Sequence, residues 1–366
     1  MKLLVSIYLS FLILVSPAFV YADEQTQNIY YEGKILRVIE EKELDLGKEQ
    51  IYQKLEVNIV NKDKAGQTVV IENGNLPMAN VVQYKAGDWV VILASKDFEG
   101  KDVFYVTDYV RRNSLKILTA LFLILVAFIG KKRGLSSVLG MVVSFLILFT
   151  FVLPQLLNGS NPTLVSLLAA AILVPITFYL SHGFNKKTNV AVFSTFLTLL
   201  ITVILANLFI SGSKISGFAS EEAAFLQVAK AGTLNIRGLL LAGIIISAIG
   251  ILDDITVSQA AVVSKLKETQ EKLKFKDLFE KGMSVGRDHI ASMVNTLILV
   301  YVGAALPLLL LFVNNPHPFS EVVNYEIVSE EIVRTLVGSI GLVLAVPITT
   351  FLASIYFSNE SKSHDT

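Results

Sequence analysis

Two adjacent carboxylates, Asp253 and Asp254, directly follow an almost wholly apolar run over 239–251. Ionised carboxylates at a bilayer boundary are costly unless water, a cation or helix N–H groups receive them. Two interpretations are open at this point. In one, Asp254 caps a helix that begins at Ile255, which leaves the second aspartate unexplained. In the other, the pair and the neighbouring Thr256 belong to a cation or proton site.

A second polar constellation occurs further along the chain, where Arg287, Asp288 and His289 precede an apolar run that contains Ser292 and Asn295. Because Asp288 and Asn295 are seven residues apart, they share one helix face and lie about 10 Å apart along the axis. His289 is the only one of these side chains expected to titrate near neutral pH without a shift. Asn295 has an alternative role in an interhelical hydrogen bond, since an intramembrane asparagine normally faces protein or water.

The composition of the chain indicates a membrane protein. Of its 366 residues, 53% are hydrophobic, which excludes an ordinary soluble globule of this length. The formal net charge is zero, so whole-protein charge does not argue for a nucleic-acid partner. The sequence contains no cysteine, which excludes disulfides, thiolate metal sites and thiol catalysis.

The apolar runs that must position the polar residues each have about the length that crosses 30 Å of hydrocarbon, at about 1.5 Å per helical residue. We therefore expect a polytopic α-helical membrane protein with about seven transmembrane helices. The predicted spans cover roughly residues 115–130, 135–157, 163–181, 189–211, 236–252, 290–313 and 332–357.

The charges of the connecting loops predict the orientation of these spans. The loops at 131–133, 186–187 and 265–287 are basic, whereas 158–162 and 314–331 contain neither lysine nor arginine. Basic loops concentrate on the cytoplasmic side of a membrane. The alternation therefore predicts a cytoplasmic C-terminal tail over 358–366, and it places both polar constellations on the cytoplasmic side.

Residues 23–113 are charged, alternating and rich in turn residues, which predicts a small all-β domain outside the cytoplasm. Five strands in this length favour an OB-like barrel, with a two-sheet sandwich as the alternative. Acidic residues outnumber basic ones here, so we expect no nucleic-acid binding. The predicted strands cover 29–39, 50–60, 68–72, 89–94 and 103–109.

The first 22 residues have the pattern of a signal peptide. Lys2 provides the positive charge, residues 3–15 form the apolar core, and Ala22 precedes the expected cleavage point. An uncleaved anchor is the alternative. Both interpretations place the β domain outside the cytoplasm.

Packing and ion-pair signals are also present in the predicted spans. Gly243 and Ser247 have the small-xxx-small spacing that suits close helix contact. Glu330, Glu331 and Arg334 have the spacing of ion pairs within one helix. Prolines that kink or break helices occur within three spans, at Pro175, Pro307 and Pro347.

The residues around both constellations resemble the YibE/F-like family of bacterial multi-spanning membrane proteins. The resemblance is found in 250–259 (GILDDITVSQ), 285–290 (VGRDHI) and 294–299 (VNTLIL), and it extends over roughly 115–357. It implies a bacterial cell-membrane location, and it transfers no activity, cofactor or catalytic residue.

Three functions are open from the sequence. The first is a permease, or a component of one, with a cytoplasmic-side carboxylate and histidine site. The second is a non-catalytic membrane partner or scaffold whose external β domain binds an envelope component. The third is an enzyme that holds a metal with its aspartates, for which the sequence shows no supporting motif. The expected partners are the lipid bilayer and a neighbouring membrane subunit or second copy. The candidate site residues are Asp253, Asp254, Asp288, His289 and Asn295, supported by Arg287, Thr256 and Ser292.

Overall fold

The computed structural model describes residues 29–45, 49–76, 81–97, 100–313 and 317–360. The chain divides into two compact units, Met1–Leu121 and Phe122–Thr366. The predicted signal peptide over 1–22 and the tail beyond residue 360 lie outside the described residues.

The first unit contains a five-stranded antiparallel sheet that forms a half-barrel, in the order β3-β2-β1-β4-β5. β1 pairs with both β2 and β4, and two irregularities in its register with β2 lie between Ile35 and Glu40. Bulges of this kind bend a strand and increase its twist. All five predicted strands are confirmed. Their bounds are β1 (Ile29–Asp45), β2 (Glu49–Ile59), β3 (Thr68–Asn73), β4 (Trp89–Lys96) and β5 (Asp102–Tyr109).

Alternating apolar residues form the core of this unit. Leu55, Val57 and Ile92 are completely buried, and each such side chain contributes roughly 1.5–3 kcal/mol on burial. Gly33 allows the strands to close over this core, because a Cβ there would lie 2.6 Å from Ile92 Cδ1 and 2.7 Å from Val57 Cγ1. The sheet therefore has one apolar face, as the alternation predicts.

The second unit is helical. Among the described residues, five helices are long and apolar enough to cross a membrane, and the count is six if α7 and α8, bent by 72°, form one span. The expected number of seven stays a prediction. The helix bounds are α1 (Arg112–Ile147), α2 (Leu153–Leu157), α3 (Pro162–His182), α4 (Lys186–Gly212), α5 (Glu221–Ala229), α6 (Ile236–Thr269), α7 (Phe275–Ala304), α8 (Leu306–Val313), α9 (Phe319–Val322) and α10 (Glu326–Glu360), with a π-helical turn at Leu148–Val152 between α1 and α2.

The predicted boundary between the first two spans lies within α1. Lys131 has a non-helical backbone, with φ 49° and ψ −133°. A Cβ at Gly134 would lie 2.3 Å from the carbonyl oxygen of Val126, whereas residues eight apart in an uninterrupted helix are separated by about 12 Å. The chain therefore turns back on itself at Lys131.

The bundle centres on α4, α6 and α10, which all pack against one another, while α7 packs mainly on α10 and α3 on α6. Close approach of α7 depends on two glycines. A Cβ at Gly286 would lie 2.4 Å from Val346 Cγ1, and one at Gly282 would lie 2.8 Å from Thr350 Cγ2. The expectation of close contact at Gly243 is wrong, because a Cβ there would meet no atom within 4 Å.

The prolines and the predicted ion pairs of the spans are found at the following places in the structure. The helix breaks beside Pro307, between α7 and α8, whereas Pro175 and Pro347 lie within continuous helices. The predicted ion pairs near the start of α10 are confirmed, since Arg334 Nη2 lies 2.6 Å from Glu330 Oε1.

Candidate functional site

The two aspartates lie in the middle of a helix, not at its beginning. α6 runs without interruption over Ile236–Thr269, and its N-terminus is capped by Asn235, whose side chain accepts a hydrogen bond from the Gly238 N–H at 2.9 Å. In a continuous helix the N–H groups that follow Asp254 already donate to backbone carbonyls. The interpretation of Asp254 as a helix cap is therefore wrong.

The environments of the two carboxylates differ. Asp253 is half-buried, and its Oδ1 atom is fully buried without a hydrogen-bond partner in the described structure. Asp254 is exposed and lies within electrostatic range of His182 at the end of α3. Lys187 and Arg133 act on the same histidine. Asp254 thus lies on the exposed side of α6, whereas Asp253 points one oxygen into the bundle.

Next to Asp253, α6 meets α4 through two threonines. The hydroxyl oxygens of Thr256 and Thr195 lie 2.8 Å apart, and both side chains are completely buried. Each hydroxyl also lies within hydrogen-bond distance of a backbone carbonyl one turn earlier, Leu252 O for Thr256 and Ala191 O for Thr195. Each hydroxyl oxygen has two lone pairs and one hydrogen, so lone pairs remain free to accept or coordinate when the hydrogens donate to these carbonyls.

The buried polar stripe continues along α4. Ser194, Thr198 and Thr202 are at most 1% exposed, and each hydroxyl donates to a carbonyl four residues earlier. Thr202 contacts α10 closely, since a Cβ at Gly341 would lie 2.5 Å from its Oγ1. Back-bonding of this kind lets hydroxyl groups lie in an apolar helix.

Gln259, about one turn beyond Thr256 on α6, joins three helices. Its Nε2 donates to Gly282 O of α7 at 2.8 Å and to Thr350 Oγ1 of α10 at 2.7 Å. The residue is completely buried, and its Oε1 has no hydrogen-bond partner in the part of the chain that the structure describes. A buried amide oxygen without a hydrogen-bond donor destabilises the folded state by about 1–3 kcal/mol. An unsatisfied oxygen of this kind in a protein interior therefore requires an explanation.

Three hydroxyls on α10 have the same property. Ser339, Thr349 and Ser354 are buried, and their Oγ atoms lack hydrogen-bond partners among the described residues. Together with the α4 and α6 side chains they form what we call the oxygen seam. Its extent along α10, from Ser339 to Ser354, is about 22 Å at about 1.5 Å per residue. The members are Ser194, Thr195, Thr198 and Thr202 of α4, Asp253, Thr256 and Gln259 of α6, and Ser339, Thr349, Thr350 and Ser354 of α10.

The constellation on α7 is placed differently. Arg287, Asp288, Ser292 and Asn295 are exposed, and His289 is half-buried. Over the described ranges no hydrogen bond or ion pair joins any of them to the α6 aspartates. The convergence of the two constellations on one site therefore stays a prediction, as does the partnership of Arg287 with a carboxylate.

Within the residues that the structure describes, no three histidine, aspartate or glutamate side chains are grouped to hold a metal ion. The ligands that the seam offers are instead one carboxylate, one amide oxygen and several hydroxyls. Oxygen donors of this type suit hard cations and proton relays.

The four seam residues on α4 follow a regular pattern in the sequence. Ser194, Thr195, Thr198 and Thr202 recur at helical spacing within an apolar run, which places them on one helix face. Gly282 and Gly286 form a GxxxG pair, a signature of close helix packing.

The matches to known proteins agree with this architecture. A family model described as YibE/F-like protein matches residues 118–359. The chain belongs to the YibE/F-like family. The matched segment contains the whole oxygen seam, and with the apolar helices it indicates a membrane protein. No curated protein and no solved structure matched.

Proposed function

We propose that this YibE/F-like protein is a membrane permease, or a component of one, that moves a small hard cation or a proton along the oxygen seam. The observation that carries the proposal is a pair of buried oxygens on α6, Asp253 Oδ1 and Gln259 Oε1, that have no hydrogen-bond partner among the described residues. The two residues lie about 9 Å apart along the helix axis. Ionisable groups inside membrane helices are rare and expensive, and they typically mark ion or proton pathways.

The composition of the seam supports this class of substrate. Its oxygens extend over about 22 Å of helix, roughly two thirds of the hydrocarbon thickness. We propose that these oxygens act as the successive weak sites that conduction requires. The seam contains a single carboxylate, Asp253, and no lysine or arginine, so it favours a monovalent cation or a proton over an anion. We place Asp254 and His289 at the cytoplasmic entrance, where Asp254 draws cations towards Asp253.

The topology that we propose has seven spans, with the β half-barrel outside and the C-terminus in the cytoplasm of a bacterial cell. The reversal at Lys131 supports two spans within α1, and the 72° bend after Ala304 supports a sixth span made of α7 and α8. The order β3-β2-β1-β4-β5, with β3 lying beside β5, supports an OB-like barrel.

Flux measurements on the full chain in sealed proteoliposomes test the proposal. A trapped pH-sensitive dye follows protons and a sodium-sensitive dye follows Na⁺, each under an imposed gradient. We expect Asp253→Asn to abolish the flux and Asp254→Asn to reduce it several-fold, because only Asp253 contributes to the seam. Glu222→Gln, at an exposed residue of α5, is the control for insertion and reconstitution. Unchanged flux in Asp253→Asn would overturn the proposal.

A second candidate function has its own support in the first unit. Tyr30, Trp89 and Tyr105 are 50%, 44% and 45% exposed on the outer face of the sheet. Tyr30 and Tyr105 both lie opposite Leu93, on either side of β4. Lys34 Nζ lies 6.0 Å from the Trp89 ring. Exposed aromatic groups of this kind are typical of binding surfaces, so we propose that this face binds an envelope protein or polymer.

Two variants separate the candidates. Replacing Tyr30, Trp89 and Tyr105 together by serine removes the aromatic surface, whereas Val70→Ser changes an equally exposed apolar residue on β3. A scaffold role predicts that only the triple variant loses its crosslinked envelope partner while the flux is unaffected. Equal recovery of the partner by both variants would contradict the scaffold role.

A further inference from the structure

The outer face of α7 carries polar residues that have no partner within the described part of the chain. The residues that α7 buries are Leu278, Gly282 and Gly286, all on the side that faces α6 and α10. On the opposite side, Asp288, Asn295 and Val302 recur every seven residues, and all three are exposed. A seven-residue repeat keeps side chains on one face and is the spacing at which two parallel helices meet.

Asn295 is the residue of this face whose exposure to lipid is unfavourable. It lies within the predicted sixth span, it is exposed, and its amide makes no hydrogen bond to any part of the chain that the structure describes. An amide in contact with hydrocarbon loses the hydrogen bonds that water would provide, which is unfavourable. A protein surface that supplies both a donor and an acceptor at this depth would remove that cost.

A second copy of the same chain supplies both the hydrogen-bond donor and the acceptor. Copies in one membrane share one orientation, so a two-fold axis along the membrane normal brings identical residues of α7 together at equal depth. An asparagine is its own complement there, because the amide NH₂ of one copy donates to the carbonyl oxygen of the other.

Charge complementarity also supports a second copy of the chain as the partner of this face. Arg287 and Asp288 are adjacent, both are exposed, and neither takes part in an ion pair within the described residues. In a parallel helix pair, a residue that flanks the seven-residue repeat contacts the repeat position of the partner. Arg287 of each copy thus meets Asp288 of the other, which gives two reciprocal ion pairs.

We propose that α7 is a homodimer interface, in which Asn295 pairs with its own counterpart and Arg287 pairs with Asp288 of the second copy. The small residue Ser292 between these positions lets the two helices approach closely. The proposal does not depend on ion conduction through the oxygen seam.

The absence of cysteine from the sequence allows a direct test. Asn295→Cys and Val302→Cys are introduced singly and oxidised in native membranes, with Leu197→Cys on α4 as a control, which is 44% exposed. We expect disulfide-linked dimers at 295 and 302 and none at 197. Equal dimer yields at all three positions would overturn the proposal. A disulfide between Asn295→Cys and Phe128→Cys of the same chain would also overturn it, because the first helix would then cover this face.

A second measurement addresses Asn295 itself. Asn295→Leu should weaken dimerisation about three- to thirtyfold, the range found for hydrogen bonds between membrane helices. Asn295→Gln, which keeps an amide, should restore most of it. The dimer fraction is measured by native mass spectrometry at matched protein-to-lipid ratios. A dimer fraction unchanged in Asn295→Leu would refute the pairing.

Discussion

The contact between α7 and the rest of the bundle gives a prediction whose size follows from the structure. In Gly286→Ala the added Cβ would lie 2.4 Å from Val346 Cγ1, whereas carbon atoms in favourable contact are about 3.5–4.0 Å apart. α7 must therefore move by more than about 1 Å, or Val346 must leave its rotamer, at a cost of about 1–3 kcal/mol. Alanine also favours the helix over glycine by about 0.5–1 kcal/mol, which partly offsets this cost.

The matched variant Gly243→Ala isolates the packing cost. A Cβ at Gly243 meets no atom within 4 Å, so this variant gains the same helix preference without a clash. The propensity contributions cancel in the difference, and Gly286→Ala should be about 1–3 kcal/mol less stable than Gly243→Ala. This corresponds to a Tm lower by about 2–4 °C for each kcal/mol.

The assay is thermal loss of the monodisperse peak in detergent, measured by size exclusion. Intrinsic tryptophan fluorescence would not report on the bundle, because the only tryptophan, Trp89, lies in the β half-barrel. A Tm for Gly286→Ala at or above that of Gly243→Ala would refute the packing of α7 described above.

Two further predictions concern the β half-barrel and the seam. Burial raises the pKa of Tyr84 to about 12, so the folded state favours the neutral phenol. Its contribution, up to about 2–3 kcal/mol, is complete below pH 10 and is lost as the pH rises towards 12. Alkaline unfolding followed by Trp89 fluorescence should therefore depend less on pH in Tyr84→Phe, and an identical pH dependence would contradict this. Thr349→Val removes an unpartnered buried hydroxyl, so it should leave the Tm unchanged or raise it while it reduces flux. A lower Tm would show that the hydroxyl has a structural partner.

Most of the fold follows from patterns in the sequence. Alternation predicts the five strands, because one face of the sheet packs on a core that includes Leu55 and Ile92. Runs of apolar residues predict the spans. The ends of elements are harder to predict, since α6 continues through Asp253 and Asp254 to Thr269. Local polarity at the aspartates resembles a helix boundary, but tertiary packing of the next four turns extends the helix.

The candidate site could be predicted only in part. Asp253 stands out in the sequence because a carboxylate interrupts an apolar segment. The seam residues on α4 and α10 do not stand out, because serine and threonine bond back to their own helix and are compatible with a membrane span. Their convergence depends on helix contacts distant in sequence, such as the 2.8 Å approach of Thr195 to Thr256. No local pattern contains that information.

Chemical labelling of the carboxylates tests the central claim most directly. A lipophilic carbodiimide reacts with carboxyl groups that take up a proton in an apolar environment, and peptide mass spectrometry identifies the labelled residue. If Asp253 is the carboxylate of a cation or proton pathway, it should be labelled in preference to Asp254, and the labelled fraction should match the loss of flux. Labelling of Asp254 alone, or full flux in protein labelled at Asp253, would contradict the claim.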